Sequence, residues 1–409
     1  MPSANPERVL ANLRHLAGIG RYKTGVHRPS LSPEHVATLH WLKGELDALG
    51  HDARIDGIGN VLGFSRAPGP KILAGSHLES QNHAGWLDGP LGVVYALEAA
   101  RAIKADPAFA QCGVDVGAWC DEEGHFGFFM GSRSACGELT EADIDQAVDR
   151  TSGRRMRDAL NAAGLAGQQR IVVDPGRYLG YLEAHIEQGD WLEASNLKLG
   201  IVTSIVGIRQ FRVTFEGVQN HAGTTRMAIR KDAGLALARF VVDIDNHFPT
   251  IAGDRTVWTT GRIVLDPGAQ SIIPGRAEML FQIRDAETAV LDRLEHALFE
   301  MASRADAKGP CRVKVEALRK SIPAMMAEPF QAALEAAAQA RAPDKHVRMP
   351  SGAGHDAQVF AKHMPAGMLF VPSIGGISHH WTENTSDEDI ALGAQAFTDA
   401  VARLLASAR

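Results

Sequence analysis

The sequence predicts an α/β protein in two parts, a layered domain built from residues 1–205 and 322–409 and a smaller βαββαβ domain, 206–321, inserted into it. Three observations carry this. The 409 residues exceed what one hydrophobic core usually organises. Short apolar runs alternate with helical patterns up to about residue 204. Beyond about 206 the pattern changes to strand, helix, strand, strand, helix, strand.

In the first part, residues 6–17 and 33–50 carry apolar positions at helical spacing, and the second run opens with Ser-Pro and closes at Gly50. VLGFS (61–65), KILAGSH (71–77) and VDVGAWC (114–120) read as strands, with a helix over 92–105 between the last two. IVVDP, YLEAHIEQG and KLGIVTSIV continue the alternation. The inserted part reads as strand IRQFRVTFEG, helix KDAGLALARFVVDIDNHF, strands RTVWTTGRIV and RAEMLFQIRD, helix ETAVLDRLEHALFEMASRA and strand CRVKVEAL. That order makes one sheet with two helices on one face. Residues 322–409 return to helices and apolar strands such as GMLFVP, completing the first domain.

A formal charge of −6 offers no basic surface for phosphates, so nucleic acid is not an expected partner. The N-terminal run lacks the apolar core of a signal peptide and no 18-residue apolar stretch occurs, so a cytoplasmic protein without membrane association is expected. Cys112, Cys120, Cys136 and Cys311 lack CxxC spacing, which fits reduced thiols rather than a disulfide framework or thiolate site. Any metal must then be held by histidines and carboxylates.

Four places set such groups beside glycine or at a strand end. GSHLES carries His77 and WLDGPLG carries Asp88; WCDEEGHFG sets Asp121, Glu122 and Glu123 together; YLEAHIEQG carries His185; IGGISHHW carries His379 and His380. Three adjacent acids after an apolar strand repel one another unless a cation or proton offsets them. With no lysine or arginine nearby, a metal is the economical partner, and an oxygen and nitrogen donor set suits Zn, Mn, Co or Ni.

GSHLES, WLDGPLGV, DEEG, EAHIEQG, EGVQNHAGTT, SGAGHDA and GGISHHWTENTS together resemble the M20 metallohydrolases, in particular the branch of N-carbamoyl-L-amino-acid hydrolases, allantoate amidohydrolases and β-ureidopropionases. The resemblance runs from about residue 15 to 405. It implies two divalent metal ions per subunit bridged by Asp88, with His77 and His185 completing one site and Glu123 and His379 the other. Glu122 would be the general base. His221, from QNHAGTT, would reach the substrate carbonyl across a dimer formed by the inserted lid domain and stabilise the oxyanion. Arg284 would clamp a substrate carboxylate, with Gln188, Ser271 and Gly354 as further substrate contacts. The implied activity is hydrolysis of a C–N bond in an N-carbamoyl, ureido or N-acyl amino acid. A dipeptidase or aminoacylase on the same metal centre, and a catalytically silent binding protein, are the alternatives.

Departures from the family pattern are Glu79 for the usual Asp behind His77, Ser271 for Asn, Arg226 for Pro, and a short HFGFFM segment after DEEG. They bear on specificity.

Overall fold

The computed structural model describes residues 1–408 and divides into two compact units, one made of Met1–Thr203 and resuming at Met325, the other Ser204–Ala324. In the first unit a mixed sheet runs, neighbour to neighbour, Leu199–Ile205, Ala366–Val371, Tyr181–Ile186, Lys71–Ser76, Gly113–Ala118, Val61–Phe64 and Asp52–Ile55. The middle four, from Ala366–Val371 to Gly113–Ala118, are parallel, and the strands outside them pair antiparallel. Every residue of those four is buried, which is why they read as continuous apolar runs rather than alternating ones.

Helices Pro6–Gly18, Pro90–Ala105, Glu328–Arg341 and Asp387–Ser407 pack with the sheet into one core centred on Val93, Leu97, Phe397 and Val401. Asn5, Ser32 and Ser386 cap the first helix, Pro33–Ala48 and the last, each accepting a backbone N–H in the first turn. Among the described residues no helix is long and apolar enough to cross a membrane, and all four cysteines are free thiols.

The second unit holds a four-stranded antiparallel sheet in the order Val257–Asp266, Arg276–Asp285, Gly207–Glu216, Arg312–Lys320. Helices Ala233–His247 and Thr288–Lys308 cover one face, sharing a core with Phe211, Val213, Phe215, Met279, Phe281 and Ile283. Strand residues of the other parity lie on the opposite face.

Two segments differ from the sequence reading. IVVDP is not a strand: Ile171 donates its N–H to Asp56 Oδ2 and Val173 to the Ala135 carbonyl, so neither amide enters a ladder. Residues 130–162 contain three short helices, Met130–Ala135, Glu141–Gln146 and Met156–Ala162, with their own small core around Ile144, Met156 and Leu160.

Candidate functional site

The parallel strands deliver the chemistry. In open α/β sheets the crevice beyond the carboxyl ends of the strands is where ligands bind. Lys71–Ser76 is followed by His77, Gly113–Ala118 by the acidic run 121–123, and Ala366–Val371 by the loop carrying His379, while His185 is the penultimate residue of Tyr181–Ile186. Asp88 sits in the turn opening the helix Pro90–Ala105.

These side chains converge in two groups, His77 with Asp88 and His185, and Asp88 with Glu123 and His379; within each, the donor atoms lie within 4.8 Å of one another. Asp88 belongs to both through different oxygens. Its Oδ1 is 3.3 Å from His77 Nε2 and 3.0 Å from His185 Nε2. Its Oδ2 is 3.4 Å from His379 Nε2, which is 3.5 Å from Glu123 Oε2.

Both buried imidazoles are oriented from behind. His77 Nδ1 meets the Glu79 carbonyl at 3.1 Å and His185 Nδ1 the Ile186 carbonyl at 2.9 Å, so Nδ1 carries the proton and Nε2 presents its lone pair inward. His77 Nε2 is buried without a hydrogen-bond partner. Such an orphaned donor atom beside shared carboxylates fits a divalent cation of the nitrogen and oxygen-loving kind. Close packing fixes the ring: a Cβ added at Gly89, whose φ is +81°, would lie 2.4 Å from His77.

Crowding shows in the proton affinities. Burial alone would depress the His77 imidazole, but the Asp88 carboxylate 3.3 Å away and the charges of Glu122 and Glu79 raise it well above its usual range. Burial pushes up Glu122 and Glu123, the latter helped by the Asp88 charge, and burial raises Glu383 to about 8. The pocket holds more negative charge than its protein cations balance.

The three adjacent acids have separate roles in the structure. Asp121, with left-handed φ of +64°, turns away: it accepts Ser30 Oγ at 2.7 Å and the N–H groups of His125, Phe126 and Gly127. It organises the following loop. Glu122 is 9% exposed, its N–H is held by Glu79 Oε1 at 2.7 Å, and its Oε2 stands 3.7 Å from His77 Nε2. Glu123 is gripped by Gln81, whose backbone N–H reaches Oε1 at 3.1 Å and whose side-chain amide reaches Oε2 at 2.7 Å.

Glu79 does not back His77 through its carboxylate, which lies 3.9 Å from Nδ1; it binds the Glu122 N–H and lies 3.5 Å from His35 instead. The extra methylene carries the carboxylate past the imidazole. Gln188 is in the same pocket, donating to Asp88 Oδ2 at 2.8 Å. Gly354 faces the short segment after the acidic run, where an added Cβ would press on Phe129 at 2.9 Å.

His221, Ser271 and Arg284 belong to the second unit and to neither group. His221 is exposed in a two-residue strand, Asn220–His221, paired with Ile272–Ile273, rather than at the end of Gly207–Glu216. Ser271, just before that partner strand, is exposed and accepts the Ala222 N–H through its carbonyl. Arg284 is half-buried opposite Ile208, on the face away from the helices. An extra residue at Leu318 shifts the register so that Arg319 pairs with Gln210 on that same face. Burial and the neighbouring Arg319 charge both lower the Arg284 pKa. Arg226 is exposed.

Sequence reading missed Gln81 and Glu383. Glu383 is buried, accepts the backbone N–H groups of Leu87 and Asp88 at 3.2 and 3.1 Å, and with Ser378 fixes the Asp88 turn. Its only signal was an acid in the same run as His379.

Residues 70–403 match the model of peptidase family M20/M25/M40. The chain is 32% identical over 406 residues to the N-carbamoyl-L-amino-acid amidohydrolase of Paenarthrobacter aurescens, with 97% of each chain covered. It is 32% identical over 393 residues to the allantoate amidohydrolase of Bacillus subtilis (strain 168), with 93% of each covered. A solved amidase of the hydantoinase/carbamoylase family from Burkholderia phymatum matches with a TM-score of 0.94 and 45% identity over 100% of both chains. Joined to paired His and carboxylate groups at the ends of four parallel strands, these matches mean that the chain belongs to peptidase family M20/M25/M40.

Proposed function

We propose that this protein is a metal-dependent amidohydrolase that cleaves the C–N bond of an N-carbamoyl, ureido or N-acyl amino acid. The observation that carries the reading is Asp88, with one oxygen in each of two His and carboxylate groups and Glu122 beside them. His77, Asp88 and His185 would hold one divalent ion, and Asp88, Glu123 and His379 a second, drawn from Zn, Mn, Co or Ni. Bound there, the ions would lower the pKa of water toward neutrality and polarise a carbonyl.

The chain's own residues do the rest. Glu122 takes the proton of the attacking water on a carboxylate oxygen and returns it to the departing nitrogen. His221 donates a hydrogen bond to the developing oxyanion. Arg284 holds the substrate carboxylate, and the adjacent Arg319 charge strengthens the field that attracts an anion to that face. Gln188, Ser271 and Gly354 complete the substrate contacts, with Phe129 narrowing the space before Gly354. The names of the similar proteins, which act on N-carbamoyl amino acids and allantoate, support this substrate class. The free thiols fit a reducing, cytoplasmic setting.

The test is hydrolysis of a panel of N-carbamoyl, ureido and N-acetyl amino acids and dipeptides. Chelation should abolish turnover and divalent ions restore it. Arg284→Ala should cost about 2–4 kcal/mol, roughly 30- to 1000-fold in kcat/KM. Arg284→Lys should recover little, because an ammonium cannot make the paired contact. Equal turnover of a decarboxylated analogue would remove Arg284 from its role, and hydrolysis of dipeptides alone would move the activity to the peptidase side of the family.

We further propose a homodimer through the inserted unit, in which His221 serves the partner's metal site. Mixing inactive Glu122→Gln with inactive His221→Ala subunits should regain activity, since a mixed dimer then contains one intact site. Verified mixed dimers without activity would place His221 in its own subunit's site.

A further inference from the structure

His221 is held in a way its exposure does not suggest. Its Nδ1 lies 3.0 Å from the Gly223 N–H and 3.2 Å from the Thr224 N–H. Backbone amides can only donate, so Nδ1 must accept, and the ring proton resides on Nε2.

The turn that supplies those amides is itself braced. His221 contributes its carbonyl, which accepts Thr225 Oγ1 at 2.7 Å. The Arg230 guanidinium then spans the turn, donating from Nε to the Thr225 carbonyl at 3.0 Å and from a terminal nitrogen to the Ala222 carbonyl. Gly223 and Thr224 lie between those two carbonyls in the chain. One planar fork therefore fixes both ends of the peptide segment whose N–H groups select the His221 tautomer. Ser271 anchors the near side, its carbonyl accepting the Ala222 N–H at 2.9 Å.

We propose that Arg230 is a positioning residue that, through the 222–225 turn, holds His221 with its Nδ1 accepting and its proton on Nε2, and so presents a hydrogen-bond donor to the substrate carbonyl. The proposal deepens the function proposed above and rests on its assignment of His221 as that donor. Arg230 does not touch the reacting atoms. An amide-braced imidazole suits an oxyanion better than a freely rotating one, because a donor fixed beforehand costs no reorganisation during reaction. Lysine cannot substitute fully, since one ammonium on a flexible stem lacks the fork that joins two carbonyls.

The experiment is long-range proton–nitrogen NMR on the full-length, metal-loaded protein with 15N-labelled histidine, in which His221→Gln identifies the His221 signals by their loss. The unsubstituted protein should show an unprotonated Nδ1 and protonated Nε2 at His221. Arg230→Met should give a mixture of tautomers and a kcat about 10- to 100-fold lower, with KM changed by less than about twofold, as expected when a transition-state contact is misplaced. Arg230→Lys should restore part of both. Loss of thermal stability with an unchanged tautomer and kcat is what a merely structural arginine would give, and it overturns the proposal; so does a protonated Nδ1 in the unsubstituted protein. A His221→Ala enzyme with full kcat would instead overturn the donor role on which the proposal rests, a result read independently of the tautomer.

Discussion

Glu122→Gln should lower kcat by about 10²- to 10⁴-fold, the range a positioned general base contributes, while leaving KM and metal content near their starting values. Glutamine keeps the size of the side chain and the backbone N–H bond to Glu79, but it cannot accept a proton at neutral pH. The side chain is close enough to the metal-ligand candidates to reach a nucleophile there, with Oε2 3.7 Å from His77 Nε2. The competing acid is Asp121, and the structure argues against it: its oxygens are already committed to Ser30 and three loop amides. Asp121→Asn should therefore disturb the 125–127 turn and stability rather than the chemical step. Steady-state kinetics with metal analysis reads the difference, and a Glu122→Gln enzyme within about threefold of normal kcat would put the base elsewhere.

Asp88→Ala should have the other large effect, because it removes an oxygen from both groups at once. It also strips an acceptor from the Gln188 amide and the Ser378 hydroxyl, leaving polar groups in a buried pocket without their partner. Residues that only support metal ligands already cost 10- to 100-fold in affinity when lost, so removal of a shared ligand should weaken metal binding by at least about 100-fold. Turnover should fall with it. Asp88→Asn provides the near-isosteric control, keeping the turn while removing the charge. Elemental analysis and titration calorimetry are the readouts; two tightly held ions per subunit in both variants would end the bridging assignment.

The strand-end placement of His77, Glu123, His185 and His379 was legible because a buried parallel strand is a continuous apolar run, and the first polar residues after it face the crevice. The helices of the inserted unit were legible for a similar reason, each showing an unbroken apolar period over four turns or more. Gln81 and Glu383 were not legible, since their meaning lies in partners far along the chain: Glu383 binds an amide 295 residues away. IVVDP looked like a strand by composition, but a side chain, Asp56, took the amide that a ladder would have used. The helices of 130–162 are too short for a period to emerge from six or seven residues. Asp121 illustrates the same limit within the site, because only its left-handed backbone separates it in direction from Glu122 and Glu123.

The interruption of the first unit has a meaning for how the protein is made. On a ribosome the chain emerges from its N-terminus, and domains generally fold as units in that order. The segment Met1–Thr203 contains His77, Asp88, Glu123 and His185, but the strand that pairs with His185's own strand, Ala366–Val371, and the loop with His379 come only after the inserted unit has been synthesised. The inserted unit draws its core from residues 211–315, all within its own span. It can thus collapse while the larger sheet still waits with the Tyr181–Ile186 edge uncovered, an edge rich in apolar side chains and open to unwanted pairing. His379 follows the inserted unit in the chain, so the second cluster is completed only after that unit has been made.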